Sequence, residues 1–181
     1  DVKVLTKQEQ KRLEQVIEAE NKENDIGILI CLYTGIRIGE LCALKWENIN
    51  LDRKIMTIDK TMYSVQSNDG KCKTKIILSS PKSVNSERDI PIAELLSEKL
   101  SKIQKSEGFV INRNGKYIEP AVYSRRYKKL LEKAGIEYMM FHSTRHTFSV
   151  RARELGVDVQ TLSEILGHSS VSTTLNFYGH S

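Results

Sequence analysis

The residues best able to do chemistry lie in the last third of the chain, between residues 141 and 178. His142 and Arg145 stand three residues apart, His168 follows a predicted helical hairpin, and Tyr178 comes ten residues later. Arginine donates paired hydrogen bonds to phosphate oxygens, histidine transfers protons near neutral pH, and tyrosine can act as a nucleophile. This combination suits a phosphodiester substrate better than a metal ion.

A second arginine lies far upstream in the segment TGIRIGEL. Arg37 follows an apolar segment and Gly35, so it is predicted to begin a helix, whose N-terminus favours an anion. An ion pair with Glu40, three residues on, is the plainer explanation of this arginine. Comparable alternatives are a capping role for His168 and core packing for Tyr178.

A metal site is not predicted. His142 and His146 have the i, i+4 spacing of a helical metal pair, but no cluster of cysteines or carboxylates completes a set of ligands. The three cysteines Cys31, Cys42 and Cys72 are odd in number and form no CxxC pair. They predict reduced thiols and a cytoplasmic protein.

Charge and length set broad limits on the function. The 181 residues suit one domain, and 28 Lys and Arg against 23 Asp and Glu give a net charge of +5. This modest excess is compatible with a polyanionic partner, although many basic proteins bind no nucleic acid. No apolar run has the length of a membrane span, so no membrane association is predicted.

Helices are predicted on both sides of a central β region. Thr6 with Glu9 is a capping-box pattern that opens a helix extending to about Ala19. Residues 26–33 are apolar almost all round, which predicts a central buried helix. Further helices are predicted at residues 37–46, 93–104 and 120–134, from about residue 141 to the break at Gly156, at 158–166, and finally into Tyr178.

Strands are predicted where β-branched residues alternate, at residues 55–58, 61–65, 73–78 and 88–92, with a short strand at 109–111. Turn-rich segments at 67–70 and 81–86 separate them. The simplest arrangement is a three-stranded antiparallel sheet of successive hairpins. The predicted fold class is therefore α+β, mainly helical, with helices around a small three-stranded antiparallel sheet.

The helix predicted at residues 120–134 has a basic side. This side is either a solvated surface or a DNA-binding surface that contacts phosphates. Its members in the predicted DNA-binding set are Arg125, Arg126, Lys128 and Lys129.

The segments TGIRIGEL, HSTRHTFS and LGHSS, followed by a tyrosine ten residues after His168, resemble the tyrosine recombinase, or phage integrase, family. The likeness is to integrases of phages and conjugative transposons, and it runs from about Leu5 to the end of the chain. It implies that residues 1–181 are a single catalytic domain, and that the family's N-terminal core-binding domain is absent from this chain.

The resemblance also implies site residues and a reaction. The matching catalytic positions are Arg37, Lys82, His142, Arg145, His168 and Tyr178, with Glu40 in support. Tyr178 would attack the DNA phosphate, His142 would take up or relay its proton, and Lys82 would protonate the departing 5′-oxygen. Lys82 matches because PKS opens the turn that leads to ERDIPI, with Lys71, Lys73 and Lys75 as alternatives. The reaction needs no metal, ATP or other cofactor.

The partners implied by the resemblance are double-stranded DNA and other recombinase protomers. A tetramer is expected on DNA, and the isolated fragment is expected to be a monomer. Two rival functions remain at this stage. One is a non-enzymatic helix-turn-helix DNA-binding module built from residues 156–177, and the other is a topoisomerase of type IB chemistry.

Overall fold

Seven α-helices hold nearly half of the residues that the structure describes, which are 2–65, 75–79 and 87–168. In this computed structural model the helices are α1 (Lys7–Glu20), α2 (Ile26–Thr34), α3 (Ile38–Ala43), α4 (Glu94–Ile103), α5 (Pro120–Lys133), α6 (Ser143–Glu154) and α7 (Val159–Leu166). Each corresponds to a predicted helix. The helix predicted to run into Tyr178 lies outside the described residues.

Local sequence chemistry sets the ends of these helices. The Thr6 hydroxyl accepts a hydrogen bond from the backbone N–H of Glu9 at 3.1 Å, and the Glu9 carboxylate accepts one from the N–H of Thr6 at 2.9 Å. This is the predicted capping box. Gly35 ends α2 with a φ of 75°, a left-handed conformation that glycine adopts without steric cost.

Helix α2 forms the centre of the core. All of its residues except Tyr33 are buried, as its continuous apolar sequence predicts. It packs against α3, α4 and α6, so both helices that carry the candidate arginines rest on the same buried support. Gly27 allows a close approach from α5, because a Cβ at this position would lie 2.4 Å from the Tyr123 hydroxyl.

The three-stranded antiparallel sheet is present, but its strands differ from the predicted ones. The strands are β1 (Ile49–Asn50), β2 (Ile55–Ile58), β3 (Thr61–Val65), β4 (Lys75–Ser79) and β5 (Arg88–Pro91). The sheet has the order β1-β2-β5, with Met56 opposite Ile90. Strands β3 and β4 form a separate antiparallel pair. The predicted run of successive hairpins is therefore wrong at the step from β2 to β3.

The position of β3 explains this difference. A Cβ on Gly39 would lie 2.5 Å from the carbonyl oxygen of Met62 and 2.7 Å from the Thr61 hydroxyl. The backbone of β3 thus lies directly against α3, which takes β3 out of the sheet. The edge of β2 pairs with β5 instead, so that Ile58 and Ile90 are both buried in the core.

The strand predicted at residues 109–111 is reduced to an isolated bridge between Phe109 and Lys45. The Val110 N–H donates to the carbonyl of Leu44 at 3.0 Å, which holds this segment beside the end of α3. Within the described ranges, no helix combines the length and the apolar character needed to cross a membrane.

Candidate active site

Arg37, His142 and Arg145 line one cleft of about 270 Å³. Arg37 is the N-cap residue of α3 and His142 is the N-cap residue of α6, so two helix N-termini meet here beside Met62 of β3. A cleft of this size matches a phosphate group better than a large cofactor. A larger cleft of about 880 Å³ lies between α1, α2 and α6, but its described lining is mostly apolar and includes no histidine.

Arg145 is buried beneath the cleft, with an exposed fraction of 1%. Its Nη1 donates to the carbonyl of Gly35 at 2.7 Å, and its Nη2 donates to the carbonyl of Leu166 at 2.8 Å. One guanidinium therefore ties together the turn before Arg37 and the turn before His168. These two bonds use two of its five N–H donors, so donors remain for an anion in the cleft.

Glu40 is also buried, but its partner is not the guanidinium of Arg37. Its two carboxylate oxygens accept hydrogen bonds from Nη1 and Nη2 of Arg88 at 2.7 and 3.0 Å. Its Oε1 also accepts from the backbone N–H of Arg37 at 2.9 Å. The simpler alternative of an Arg37–Glu40 side-chain ion pair is thus replaced by an Arg88–Glu40 pair.

Arg88 is the site residue that sequence reasoning missed. It was predicted only as the first residue of a strand, because the segment ERDIPI has β character. Its partner Glu40 lies 48 residues away in the chain, so no local spacing could connect the two. The one available signal was an arginine in a strand whose neighbouring residues Ile90 and Ile92 belong to the core.

Burial, assisted by the charges of the nearby arginines, keeps the histidines of the site neutral. Burial, followed by the charges of Arg145 and Arg37, lowers the pKa of His168 to about 4. The same causes lower the pKa of His142. His146 packs edge-on against the ring of His142 at a centroid distance of 4.6 Å, and burial lowers its pKa to about 4. A neutral imidazole can accept a proton, as the proposed role of His142 requires.

The charge of the site favours an anion. Three guanidiniums, those of Arg37, Arg88 and Arg145, lie near a single buried carboxylate, that of Glu40. Burial and the charge of Arg37 lower the pKa of Arg145 to about 9, which still leaves it protonated at neutral pH. This excess of positive charge, which is buried at Arg88 and Arg145 and exposed at Arg37, is relieved when a negatively charged phosphodiester enters the cleft.

This electrostatic arrangement predicts acid sensitivity. His146 and His168 have folded-state pKa values of about 4 against an ordinary value of 6.5, so the unfolded chain binds more protons. The contribution of these two histidines to the free energy of unfolding should therefore be complete above pH 6.5. The free energy of unfolding should fall as the pH drops from 6.5 towards 4. Urea unfolding at several pH values measures this, and His146→Asn should flatten the profile. A stability that stays constant over this window would contradict the assignment.

Two residues of the predicted catalytic set, Lys82 and Tyr178, lie outside the described residues. The lysines at positions 71 and 73 do so as well. The cleft nevertheless includes Thr61 and Met62 of β3, the strand that leads into this lysine-containing segment.

The basic side of α5 divides into two parts. Arg125, Lys128 and Lys129 are exposed, and the Lys128 ammonium lies 5.4 Å from the centre of the Tyr138 ring. Arg126 instead donates through Nε and Nη2 to the two carboxylate oxygens of Asp25, at 2.9 and 2.8 Å. Asp25 is only 1% exposed. Because Arg126 compensates a buried charge, we remove it from the predicted DNA-contacting set.

Over the ranges described, no three histidine, cysteine, aspartate or glutamate side chains are grouped so that they could hold a metal ion.

Comparison with known protein families gives a match over nearly the whole chain. A model described as the phage integrase family matches residues 3–181. A tyrosine recombinase XerC-like protein of Caldanaerobacter subterraneus subsp. tengcongensis is 34% identical over 172 residues, which cover 84% of this chain and 44% of that protein. Tyrosine recombinase XerA of Pyrococcus furiosus is 31% identical over 180 residues, 95% of this chain and 55% of that protein. The chain thus spans about half the length of the curated relatives it matches.

Solved structures show the same fold. The Tn1549 transposon integrase in complex with transposon right end DNA superposes with a TM-score of 0.80 at 23% identity, covering all of this chain and 62% of that one. The catalytic domain of bacteriophage HP1 integrase superposes with a TM-score of 0.66 at 24% identity, covering all of this chain and 89% of that one.

Proposed function

The chain belongs to the phage integrase family, and on that basis we propose that it cuts and rejoins DNA strands at specific sites through a covalent tyrosyl intermediate. The observation that carries this proposal is the cleft in which Arg37 and His142 lie above the buried Arg145. Two guanidiniums can bind the non-bridging oxygens of one phosphate, and a neutral imidazole stands beside them.

The proposed chemistry transfers one phosphoryl group without net loss of a phosphate ester. The phenol oxygen of Tyr178 attacks phosphorus, and its proton passes to His142 as the new O–P bond forms. The bond from phosphorus to the 5′-oxygen breaks, and Lys82 protonates that oxygen. The product is a 3′-phosphotyrosyl enzyme and a free 5′-hydroxyl. The 5′-hydroxyl of a second strand then reverses the step.

The described residues contribute mainly to the transition state of this reaction. Charge grows on the equatorial oxygens as five bonds form around phosphorus, and Arg37 and Arg145 stabilise that charge. His168, on the turn held by Arg145, supplies a further hydrogen bond. Since the ester bond energy is retained in the phosphotyrosyl link, the step requires neither ATP nor Mg²⁺.

Double-stranded DNA is the proposed partner. The Tn1549 integrase, which shares the fold, was solved in complex with transposon DNA. Here the helix N-termini around the cleft and the exposed cations of α5, Arg125, Lys128 and Lys129, supply a surface for phosphates. We propose that recombination also requires further protomers on the DNA, four in all, and a cytoplasmic setting.

A covalent complex tests the proposal. Nicked duplexes from a randomised pool should trap the protein, because the short strand with the 5′-hydroxyl diffuses away and cannot reseal the bond. The adduct should appear as a slowly migrating, protease-sensitive band on a denaturing gel, and it should form in excess chelator without ATP. DNA binding with no adduct on any duplex would instead favour the helix-turn-helix alternative.

A modified substrate tests the general acid. Lys82→Ala should be slow on ordinary DNA, because the departing 5′-alkoxide then lacks a proton donor. A 5′-bridging phosphorothioate has a sulfur leaving group that needs little protonation, so this substrate should restore most of the rate. Single-turnover adduct formation on both substrates measures the effect. Equal defects on the two substrates would assign the acid to another residue, with Lys73 and Lys75 as the next to test.

A further inference from the structure

We propose that Arg88 is a positioning residue that holds Arg37 and His168 in place and prevents the Glu40 carboxylate from competing with the DNA phosphate. This inference rests on the proposed function, since it concerns the same site. Arg88 is not among the residues that line the cleft, and no role follows for it from the chemistry of strand cleavage itself.

The contacts of Arg88 join three elements. Its side chain is 6% exposed, and all three guanidinium nitrogens donate hydrogen bonds. Nη1 and Nη2 bind the two oxygens of Glu40 on α3, and Nε donates to the carbonyl of Ile165 on α7 at 2.7 Å. A planar fork can make these three bonds at once, whereas a lysine ammonium cannot match their geometry.

Arg88 is connected to Arg37 through the carboxylate of Glu40. The Glu40 carboxylate that Arg88 holds also accepts the backbone N–H of Arg37 at 2.9 Å. Arg37 is the N-cap residue of α3, so this bond fixes the backbone from which its side chain extends towards the cleft. A shift of Glu40 would therefore displace the backbone of Arg37, one of the two arginines proposed to bind the phosphate.

Arg88 also contacts the backbone next to His168. Gly167 ends α7 with a φ of 71°, and a Cβ there would lie 2.9 Å from Nη1 of Arg88 and 3.0 Å from its Cζ. The guanidinium therefore packs on the backbone immediately before His168. Arg145 holds the neighbouring carbonyl, that of Leu166, at 2.8 Å. Two buried guanidiniums thus fix consecutive carbonyls of the turn that presents His168.

Charge gives Arg88 a second effect. Burial alone would raise the pKa of Glu40, but the hydrogen bonds and charge of Arg88, together with the backbone hydrogen bond and charge of Arg37, lower it, so the carboxylate is ionised. The carboxylate also interacts electrostatically with Arg37 and Arg145. Without Arg88, Arg37 and Arg145 would be the cations left for this buried carboxylate among the described residues. Glu40 would then occupy the donors that the phosphate needs.

The test compares Arg88→Met, Glu40→Gln and the double variant, each made in the 181-residue chain. The first readout is the affinity for orthovanadate, a phosphate mimic that requires neither DNA nor the nucleophile. The second is the single-turnover rate of adduct formation on nicked DNA. Arg151→Met is the matched control, because Arg151 also donates to a backbone carbonyl, that of Leu5 at 2.6 Å, but holds the N-terminal segment.

Arg88→Met should weaken orthovanadate binding and slow adduct formation by about 10- to 100-fold, by analogy with residues that orient the ligands of a metal ion. Adding Glu40→Gln removes the competing charge and should recover most of the orthovanadate affinity, while adduct formation stays slow because His168 is still misplaced. Arg88→Lys keeps the positive charge and replaces Arg88→Met as the test if Arg88→Met fails to fold. It should bind orthovanadate well but still form the adduct slowly. The control should match the unmodified chain in both readouts.

Several results would overturn this inference. The first is that Arg88→Met keeps the affinity and the rate of the unmodified chain, and the second is that the double variant binds orthovanadate no better than Arg88→Met. The third is that Arg151→Met loses as much as Arg88→Met, and the fourth is that the unmodified chain does not bind orthovanadate. A different result would count against the proposed function alone. In that case the unmodified chain forms no adduct on any DNA, yet the orthovanadate affinities follow the expected order.

Discussion

Tyr178→Phe is expected to abolish the covalent protein–DNA adduct, with no trace above background, while folding and DNA affinity stay near their unmodified values. The substitution removes one oxygen atom and no charge, so apolar packing and phosphate contacts are preserved. Without that oxygen no phosphoester can form at this position. Denaturing gels of the trapped complex measure the adduct, and gel-shift titrations measure the affinity.

The other described tyrosines make this expectation specific. Tyr123 and Tyr127 are buried and hydrogen bonded. Burial raises the pKa of both phenols, to about 12 for Tyr127, which makes a phenolate harder to form at either position. Tyr63 is 40% exposed on β3, next to the cleft residue Met62, and so provides the matched control. Tyr63→Phe should retain the adduct. A covalent complex in Tyr178→Phe, or DNA mapped to another peptide, would refute the nucleophile.

The sequence was sufficient to predict the helices and the convergence of Arg37, His142 and Arg145. Helix ends depend on residues close in the chain, such as the Thr6–Glu9 capping box and the left-handed Gly35. The location of Arg37 at a helix N-terminus, and of His142 and Arg145 on one helix face, could therefore be inferred from local pattern alone. That the two helices face one cleft followed from the family resemblance, because no local rule places α3 next to α6.

Features that depend on distant residues could not be predicted. The pairing of β2 with β5 joins strands separated by the whole β3–β4 pair, and the reason for it is a backbone contact at Gly39. The ion pair of Arg126 with Asp25 spans 101 residues, and without it Arg126 looked like its exposed neighbours on α5. In each case the sequence supplied the residue type, but the tertiary fold determined its partner.

Arg145 shows the same limit for a residue whose site role was predicted. The motif indicates a phosphate-binding arginine and gives no sign that its guanidinium also supports two turns through Gly35 and Leu166. Arg37 differs, since its side chain is exposed at the cleft. Two arginines predicted to act alike on the phosphate should therefore differ in their contributions to stability.

Alanine substitution should separate these contributions. Arg37→Ala and Arg145→Ala should each slow adduct formation by about 100- to 1000-fold, as expected when a stabiliser of transition-state charge is removed. Arg37→Ala should leave the free energy of unfolding nearly unchanged. Arg145→Ala leaves two buried carbonyls without their partners, at about 1–3 kcal/mol each, partly offset because a desolvated cation is removed. We expect a net loss of about 2 kcal/mol, measurable by urea unfolding at pH 7.5.

Arg145→Lys distinguishes the two roles of Arg145 within one residue. A lysine keeps the positive charge, but its single ammonium cannot reach the Gly35 and Leu166 carbonyls and a phosphate together. The rate should therefore stay well below that of the unmodified chain even where the protein is fully folded. If Arg145→Ala proved as stable as the unmodified chain, the support of the two turns by Arg145 would be disproved. If folded Arg37→Ala cleaved at the unmodified rate, the pairing of the two arginines on one phosphate would be disproved.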